Sequence, residues 1–179
     1  MKILKIISRI HKKIISMFDG INTNFYVKKY NNWLKKNKMD INGNIKYVHH
    51  TVYFDGIDYS KIHIGDNVVI SMNTIILIHD FSIQAGLRAI NLENNNEKKE
   101  AHYLKDVYIG NNVFIGANVT LLGGTKLGDN CIVGAGAVLP GKQYPENSII
   151  VGNPGKVIGN TLDWAKEKYN NKDYLEGFY

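Results

Sequence analysis

The side chains best suited to chemistry lie in or beside one segment, residues 78–105. His79 and Asp80 stand where a column of aliphatic residues ends and this segment begins, and His102 lies near its far end. A neutral imidazole near pH 7 can remove a proton from a hydroxyl group. The sequence contains no Gly-x-Ser-x-Gly elbow, so a serine nucleophile is not indicated. The pattern favours acid–base chemistry at His79, with a solvated loop histidine as the alternative.

The elements that must position these side chains follow a repeat of six residues. An aliphatic residue opens each block, at Ile109, Ile115, Leu121, Leu127, Val133 and Leu139. Small or apolar residues follow four positions later, at Val113, Val119, Thr125, Cys131 and Ala137. A period of six is typical of a parallel β-helix, in which each rung buries its aliphatic residue on the rungs above and below. The Gly, Asn and Asp residues between them favour corners, because they tolerate positive φ.

The same repeat covers residues 64–76 and then stops, because residues 78–105 leave the six-residue register. A solenoid places such insertions as loops on one face, often the binding face. Residues 41–63 are irregular and are interpreted as a first, imperfect coil. Three histidines there are expected to be polar residues of the rim: His49, His50 and His63. The sequence therefore predicts a mainly β chain, with a β-helix domain over 41–159 interrupted by one extended loop.

Basic helical segments are predicted at the start of the chain, within residues 1–40. Isoleucines recur at helical spacing from Ile3 to Ile15 and continue to Phe18, with lysines and one arginine mostly off that stripe. The stripe either packs on the β-helix or a neighbouring subunit, or attaches peripherally to an anionic membrane. A second short helix is predicted over 25–36. Within 160–179, residues 162–169 predict a short terminal helix, and the aromatic tail is expected to pack on a subunit surface.

Composition narrows the class of protein further. The 179 residues suit one domain with an adequate core, and the net charge of +6 is concentrated in the first quarter. No apolar run approaches the ~20 residues of a membrane span. The single cysteine, Cys131, falls in an inward column and is expected to be core packing. One thiol with no second cysteine to pair with fits a reducing cytoplasm, either free in it or at the inner face of the membrane. No nucleic-acid-binding motif accompanies the basic charge.

The repeat resembles that of the hexapeptide-repeat acyltransferases. The tail VGNPGKVIG at 151–159 is similar to their closing motif, and the resemblance covers about 62–159, nearest to the sugar and antibiotic O-acetyltransferases. It implies a left-handed β-helix, a homotrimer with sites between subunits, and direct acetyl transfer from acetyl-CoA. In such enzymes a histidine at the position of His79 is the catalytic base. Asp80, as an orienting or acceptor group, and His102, as part of an acceptor pocket, are secondary candidates.

The resemblance also implies a coenzyme site. The pantetheine arm would lie beside Ala117 and Ala135, which are three blocks apart and therefore stack on one edge. Lys156 matches the basic residue of the closing motif, which meets a coenzyme phosphate in the family. The family often has Thr-Lys where this chain has Pro140-Gly141, so Lys142 is the candidate replacement.

Three classes of function follow from these observations. The first is O-acetylation of a sugar hydroxyl, and the expected acceptor is a cell-envelope or capsular saccharide or its precursor. Amino-sugar N-acetylation and antibiotic acetylation are variants of this class. The second is a zinc enzyme like the β-helical carbonic anhydrases, which needs three converging histidines. The sequence has no histidine after His102, so no metal is expected. The third is a non-catalytic β-helix that serves as a binding module.

Overall fold

The computed structural model describes residues 2–56, 58–92, 99–172 and 174–176, without the side chains of residues 2–6 and 9. The helices are α1 (Lys2–Ser16), α2 (Thr23–Lys36), α3 (Ser82–Ala89) and α4 (Thr161–Asn171), with a 3₁₀ turn at Tyr59–Lys61. The strands of the first coils are β1 (Asp40–Ile41), β2 (Tyr47–Val48), β3 (Tyr53–Phe54), β4 (Ile62–Ile64), β5 (Val69–Ile70) and β6 (Ile75–Ile76). The inserted segment carries β7 (His79–Asp80) and β8 (Tyr103–Leu104).

The later coils continue the same succession of short strands. They are β9 (Val107–Ile109), β10 (Phe114–Ile115), β11 (Thr120–Leu121), β12 (Lys126–Leu127), β13 (Ile132–Val133), β14 (Val138–Leu139), β15 (Gln143–Tyr144), β16 (Ser148–Val151) and β17 (Lys156–Asn160). Face A has the order β1-β4-β9-β12-β15, face B has β17-β16-β13-β10-β5-β2, and face C has β14-β11-β6-β3. Apart from β17, the strands of one face pair in parallel with strands one coil away, and the chain forms the left-handed parallel β-helix that the repeat predicts.

The corners explain the six-residue period. The fourth residue of each regular block has positive φ, and it is Asn or Gly every time: Asn67, Asn73, Asn112, Asn118, Gly124, Asn130 and Gly136. Asparagine tolerates this left-handed conformation better than other residues with a β-carbon. Along the corner between faces A and B, each side-chain amide donates to the next, with 2.9 Å from Asn112 Nδ2 to Asn130 Oδ1 and from Asn130 Nδ2 to Asn147 Oδ1. The amide ladder fixes the stacking of successive coils.

The interior is filled by the two predicted columns. The opening aliphatic residues are buried, and the second column, including Cys131 and Thr125, is fully enclosed. The Thr125 hydroxyl donates to the carbonyl oxygen of Leu122 at 2.7 Å, which satisfies its polar group inside the core. Burial raises the pKa of the Cys131 thiol. Cys131 is thus a core residue, as predicted, and not an exposed nucleophile.

The two N-terminal helices cover the first coil. Helix α2 forms where predicted and buries Tyr26, Tyr30, Trp33 and Leu34, and the Tyr26 hydroxyl donates to the carbonyl oxygen of Val48 at 2.6 Å. For helix α1, the structure contradicts one of the three alternatives, that the isoleucine stripe packs on the β-helix of this chain. Ile15 is buried, but Ile7, Ile10 and Ile14 are each more than half exposed. Among the described residues, no helix is both long and apolar enough to cross a bilayer.

The C-terminal end closes the solenoid. Strand β17 pairs antiparallel with β16, which ends the parallel stacking on face B. Helix α4 begins directly after β17, where the side chain of Asn160 accepts from the backbone N–H of Leu162 at 2.9 Å. It covers the predicted 162–169. Tyr174 stacks on Tyr169, whereas the rest of the aromatic tail, Phe178 and Tyr179, lies outside the described residues.

Candidate active site

A two-stranded hairpin places His79 at the corner between faces C and A. The hairpin pairs β7 with β8 antiparallel, with His79 opposite Leu104 and Asp80 opposite Tyr103. Its base is closed by the Lys105 N–H, which donates to the carbonyl oxygen of Ile78 at 2.8 Å. The inserted segment is therefore anchored at both ends and also carries helix α3, which the sequence interpretation as an extended loop did not include. The polar run 93–100 is interpreted from the sequence as a solvated loop tip, and its residues 93–98 lie outside the described residues.

A buried carboxylate, Asp55, holds the imidazole of His79. Its Oδ2 accepts from the backbone N–H of Ile78 at 3.1 Å, from the backbone N–H of His79 at 3.3 Å, and from Nδ1 of the His79 ring. The Asp55 side chain is 2% exposed and that of His79 is 24% exposed. One carboxylate oxygen thus fixes both the backbone and the ring of the histidine.

This arrangement decides which ring nitrogen of His79 can act as a base. A carboxylate facing Nδ1 keeps a proton on that nitrogen and leaves the lone pair on Nε2. The same carboxylate stabilises the imidazolium that forms when Nε2 accepts a proton, as the aspartate does in a Ser-His-Asp triad. The pair can therefore act as an oriented general base. Sequence reasoning missed Asp55, because it lies in the irregular first coil, residues 41–63.

His79 opens onto a cleft of about 580 Å³. The lining residues come from the hairpin and from two successive corners: Leu77, Ile78, His79, Asp80, Tyr103, Lys105, Leu122, Gly123 and Gly141. Gly123 and Gly141 lie one coil apart, and a β-carbon on Gly141 would collide with the carbonyl oxygen of Gly123. Pro140-Gly141, the departure from the family pattern, is thus a close backbone contact beside the histidine. Two glycines thus form part of the cleft wall, and a ligand can approach the backbone there.

The two secondary candidates in the loop have different surroundings. Asp80 Oδ1 accepts from the backbone N–H of Ser82 at 2.7 Å, and this hydrogen bond keeps the pKa of Asp80 below its ordinary value. Asp80 therefore supports the start of α3, while Asp55 orients the ring. His102 is exposed and is separated from His79 by the ring of Phe81, whose centroid lies 5.2 Å from His79 and 4.9 Å from His102.

The four candidate coenzyme residues lie on different parts of the β-helix. Ala117 and Ala135 stack at the corner between faces B and C, where the Ala117 carbonyl oxygen accepts from Gly136 N at 2.8 Å. Lys142 follows Gly141 at the corner that carries His79, with its Nζ 5.1 Å from the Tyr144 ring centroid. Lys156 is exposed at the start of β17. Within one chain, the stacked alanines and His79 therefore occupy two different edges.

Two further histidines, His50 and His63, have carboxylate partners away from the cleft. His50 Nδ1 lies 2.8 Å from Asp19 Oδ2, and with His49 these residues form a group of the described chain whose donor atoms could hold a metal ion. Tyr47 already donates to Asp19 at 2.9 Å, so the carboxylate is used without a metal. On face A, His63 contacts Asp40 at 2.7 Å and Asp106 at 3.0 Å. These contacts tie the first coil to its neighbours.

Two family models match the repeats. The model described as bacterial transferase hexapeptide (six repeats) matches residues 106–141, and the hexapeptide repeat of succinyl-transferase matches residues 62–77. Both matches fall on regular coils and leave out the inserted segment between them.

Curated relatives and solved structures extend these matches. Galactoside O-acetyltransferase from Escherichia coli (strain K12) is 34% identical over 118 residues, which is 66% of this chain and 53% of the relative. The enzyme of that name from Lactococcus lactis subsp. lactis (strain IL1403) is 31% identical over 118 residues, 66% of this chain and 48% of the relative. The chain thus spans about half the length of these relatives.

The structural comparison covers more of the chain. A galactoside acetyltransferase in complex with coenzyme A has a TM-score of 0.61 and 27% identity, covering 89% of this chain and 83% of that one. A maltose O-acetyltransferase from Clostridium difficile 630 has a TM-score of 0.54 and 25% identity, with 88% of each chain covered. Hexapeptide coils, family models and relatives agree: the chain carries the repeats of the bacterial hexapeptide transferases in a left-handed β-helix, and it is similar to sugar O-acetyltransferases.

Proposed function

We propose that this chain is an acetyl-CoA-dependent O-acetyltransferase that acts on a sugar hydroxyl. The observation that carries the proposal is the imidazole of His79, held through Nδ1 by the buried Asp55 and facing a cleft whose wall includes Gly123 and Gly141. The names of the relatives support a saccharide acceptor, since they are galactoside and maltose acetyltransferases. Within that class we favour a cell-envelope or capsular saccharide or its precursor, and a cytoplasmic supply of acetyl-CoA.

His79 acts as general base in the proposed reaction. Nε2 accepts the proton of the sugar hydroxyl while its oxygen attacks the thioester carbonyl, and Asp55 stabilises the imidazolium that results. The tetrahedral intermediate then collapses, the carbon–sulfur bond breaks, and the imidazolium returns the proton to the leaving thiolate. The products are the sugar acetate and free coenzyme A, with no covalent enzyme intermediate. The oxyanion needs a hydrogen-bond donor, and the glycine backbone of the cleft is the part that can approach it most closely.

Coenzyme A binding is proposed to need two subunits. The pantetheine arm lies along Ala117 and Ala135, and lysines such as Lys142 and Lys156 attract its phosphates. Because those alanines and His79 stand on different edges of one chain, we propose a homotrimer in which the alanine edge of one subunit faces the His79 edge of the next. His102, exposed beyond Phe81, is then placed to meet the acceptor.

The first experiment is a calorimetric titration of the purified protein with acetyl-CoA, which requires no knowledge of the acceptor. Saturable binding near one per subunit is expected, followed by thiol release when a panel of sugars is added. His79→Ala should retain binding and lose about 10²–10⁴-fold in kcat. His102→Ala is the matched histidine control and should lose much less. A protein that binds no acetyl-CoA at millimolar concentration would instead be a β-helical binding module.

Subunit complementation tests the shared site. His79→Ala and Ala135→Tyr should each be inactive alone, the second because the bulky ring fills the arm groove. When the two variants are co-expressed in equal amounts, about one quarter of the sites would combine an intact His79 with an intact alanine edge. Recovery of about a quarter of the wild-type rate is therefore expected. No recovery, from variants that still form mixed trimers, would place each site within one chain and refute the arrangement.

A further inference from the structure

Helix α1 packs on α2 through its polar edge. The carbonyl oxygen of Ser8 accepts from the Trp33 indole N–H at 3.0 Å, and the Ser8 hydroxyl contacts Asn37 Oδ1 at 2.9 Å. One turn later, Lys12 Nζ lies 5.6 Å from the centroids of Trp33 and of Tyr30. Burial lowers the pKa of Lys12. The inward edge of the helix therefore consists of Ser8, Lys12 and the buried Ile15.

The opposite edge carries the aliphatic residues and is open to solvent. Ile7, Ile10 and Ile14 are 56%, 55% and 52% exposed, and their spacing of three and four places them on one side of the helix. The stripe continues past the end of α1 with Met17 at 68% and Ile21 at 80%. The amphipathic helix thus presents its apolar side outward, and a contiguous apolar strip of this kind marks an interaction surface.

The basic charge of the same segment indicates the chemistry of the partner. Residues 1–18 contain five basic residues, Lys2, Lys5, Arg9, Lys12 and Lys13, and no acidic residue. Lys13 is exposed. A basic helix with an apolar side is suited to the interface of a bilayer with anionic headgroups. A second copy meeting this strip face to face would bring the two basic segments together, which like-charge repulsion opposes.

We propose that α1 lies in the plane of an anionic lipid surface, with Ile7, Ile10 and Ile14 at the acyl boundary and Lys13 among the headgroups. This attachment is separate from the proposed acetyl transfer and does not rest on it. It would hold the chain at a lipid bilayer while the β-helix stays in water. The helix lies on the surface and does not span it, in agreement with its length of 15 residues.

Vesicle flotation of the full chain tests the proposal without acetyl-CoA. Vesicles of phosphatidylcholine with an equal amount of phosphatidylglycerol are compared with vesicles of phosphatidylcholine alone. We expect at least about tenfold stronger partitioning onto the anionic vesicles, and weaker binding at high salt. A triple variant, Ile7→Gln, Ile10→Gln and Ile14→Gln, should lose about tenfold or more, and Lys13→Glu should lose a smaller factor.

A matched control changes three exposed aliphatic residues elsewhere: Ile90→Gln, Leu92→Gln and Leu175→Gln. This control should bind vesicles like the wild type. Circular dichroism and light scattering establish that each variant is folded and give its mass. Equal binding by the α1 triple variant and the wild type would overturn the proposal, as would no binding of the wild type at millimolar lipid. A smaller assembly for the α1 triple variant would also overturn it, because the strip would then be a subunit contact.

Discussion

Replacing Asp55 with asparagine separates the charge of this side chain from its geometry. The Ile78 N–H, the His79 N–H and the His79 Nδ1–H all meet one oxygen, Oδ2. Asparagine can place its amide oxygen in the same position and keep these hydrogen bonds, while the negative charge is lost. Asp55→Ala would leave two backbone donors without this acceptor, at about 1–3 kcal/mol each. Asp55→Asn is therefore the informative change, and we expect it to cost about 1 kcal/mol of folding stability.

The magnitude follows from the surroundings of the carboxylate. Two unit charges about 4 Å apart interact by about 1 kcal/mol in water and about 4 kcal/mol at an effective dielectric constant of 20. Asp55 is 2% exposed but its partner is 24% exposed, so we take a value of about 3 kcal/mol. If this interaction stabilises the imidazolium in the transition state, Asp55→Asn lowers kcat by about 10²-fold.

The assay is the initial rate of coenzyme A thiol release with the best sugar acceptor. The KM for acetyl-CoA should stay within about twofold, since the change affects the transition state and not coenzyme binding. Asp80→Asn is the control, because Asp80 accepts a hydrogen bond from the Ser82 N–H and supports the start of α3. It should keep kcat within about threefold of the wild type. An unchanged kcat in folded Asp55→Asn, or an equal loss in Asp80→Asn, would refute the assignment of Asp55.

Two further predictions concern the cleft wall and face A. Gly141→Ala should cost more than about 2 kcal/mol of unfolding free energy and reduce activity, because the added β-carbon collides with Gly123. In Gly136→Ala the added β-carbon meets no atom within 4 Å, so this variant should lose only about 1 kcal/mol, through the positive φ of residue 136. Urea unfolding compares the two variants. Burial opposes the charged form of His63, but hydrogen bonds to its two carboxylate partners prevail and raise its pKa. The stability that protonated His63 contributes to the folded chain is complete below the ordinary pKa of histidine and is lost as the pH rises through the raised pKa of His63. His63→Gln should therefore lower the melting temperature more at about pH 5.5 than at about pH 9. Equal losses at both pH values would contradict this account of His63.

The regular coils could be predicted because their contacts repeat at a fixed spacing. Ile115 lies between Ile70 and Val133, one coil before and one coil after it, so the six-residue pattern contains the packing partner of each aliphatic residue. The corner conformation can also be predicted locally, because the fourth residue of each regular block, such as Asn112 or Asn118, has positive φ. For the same reason Cys131 could be assigned to the core from its column alone.

The inserted segment could not be predicted in the same way. Helix α3 and the β7–β8 hairpin have no repeat to define their register, and α3 makes contacts that no repeat contains, such as the Ala101 N–H donating to Gln84 Oε1 at 2.7 Å. Asp55 was missed because the chain is irregular after β3. A signal was nevertheless present: Phe54 pairs with Ile76, so the next residue, Asp55, stands beside the start of the insertion one coil later. Counting rungs backward from His79 would have found its partner.

The proposed coenzyme site depends on how the edges of two subunits meet. The six-residue register places Ala117 above Ala135 correctly, since Gly136 N donates to the Ala117 carbonyl oxygen. It also places His79 at the next corner, across face C from those alanines. Sequence periodicity can assign each residue to an edge, but it contains no information about which edge of another subunit that edge meets. The proposed base and its orienting carboxylate therefore lie within one chain, whereas the complete site, in our proposal, needs the trimer.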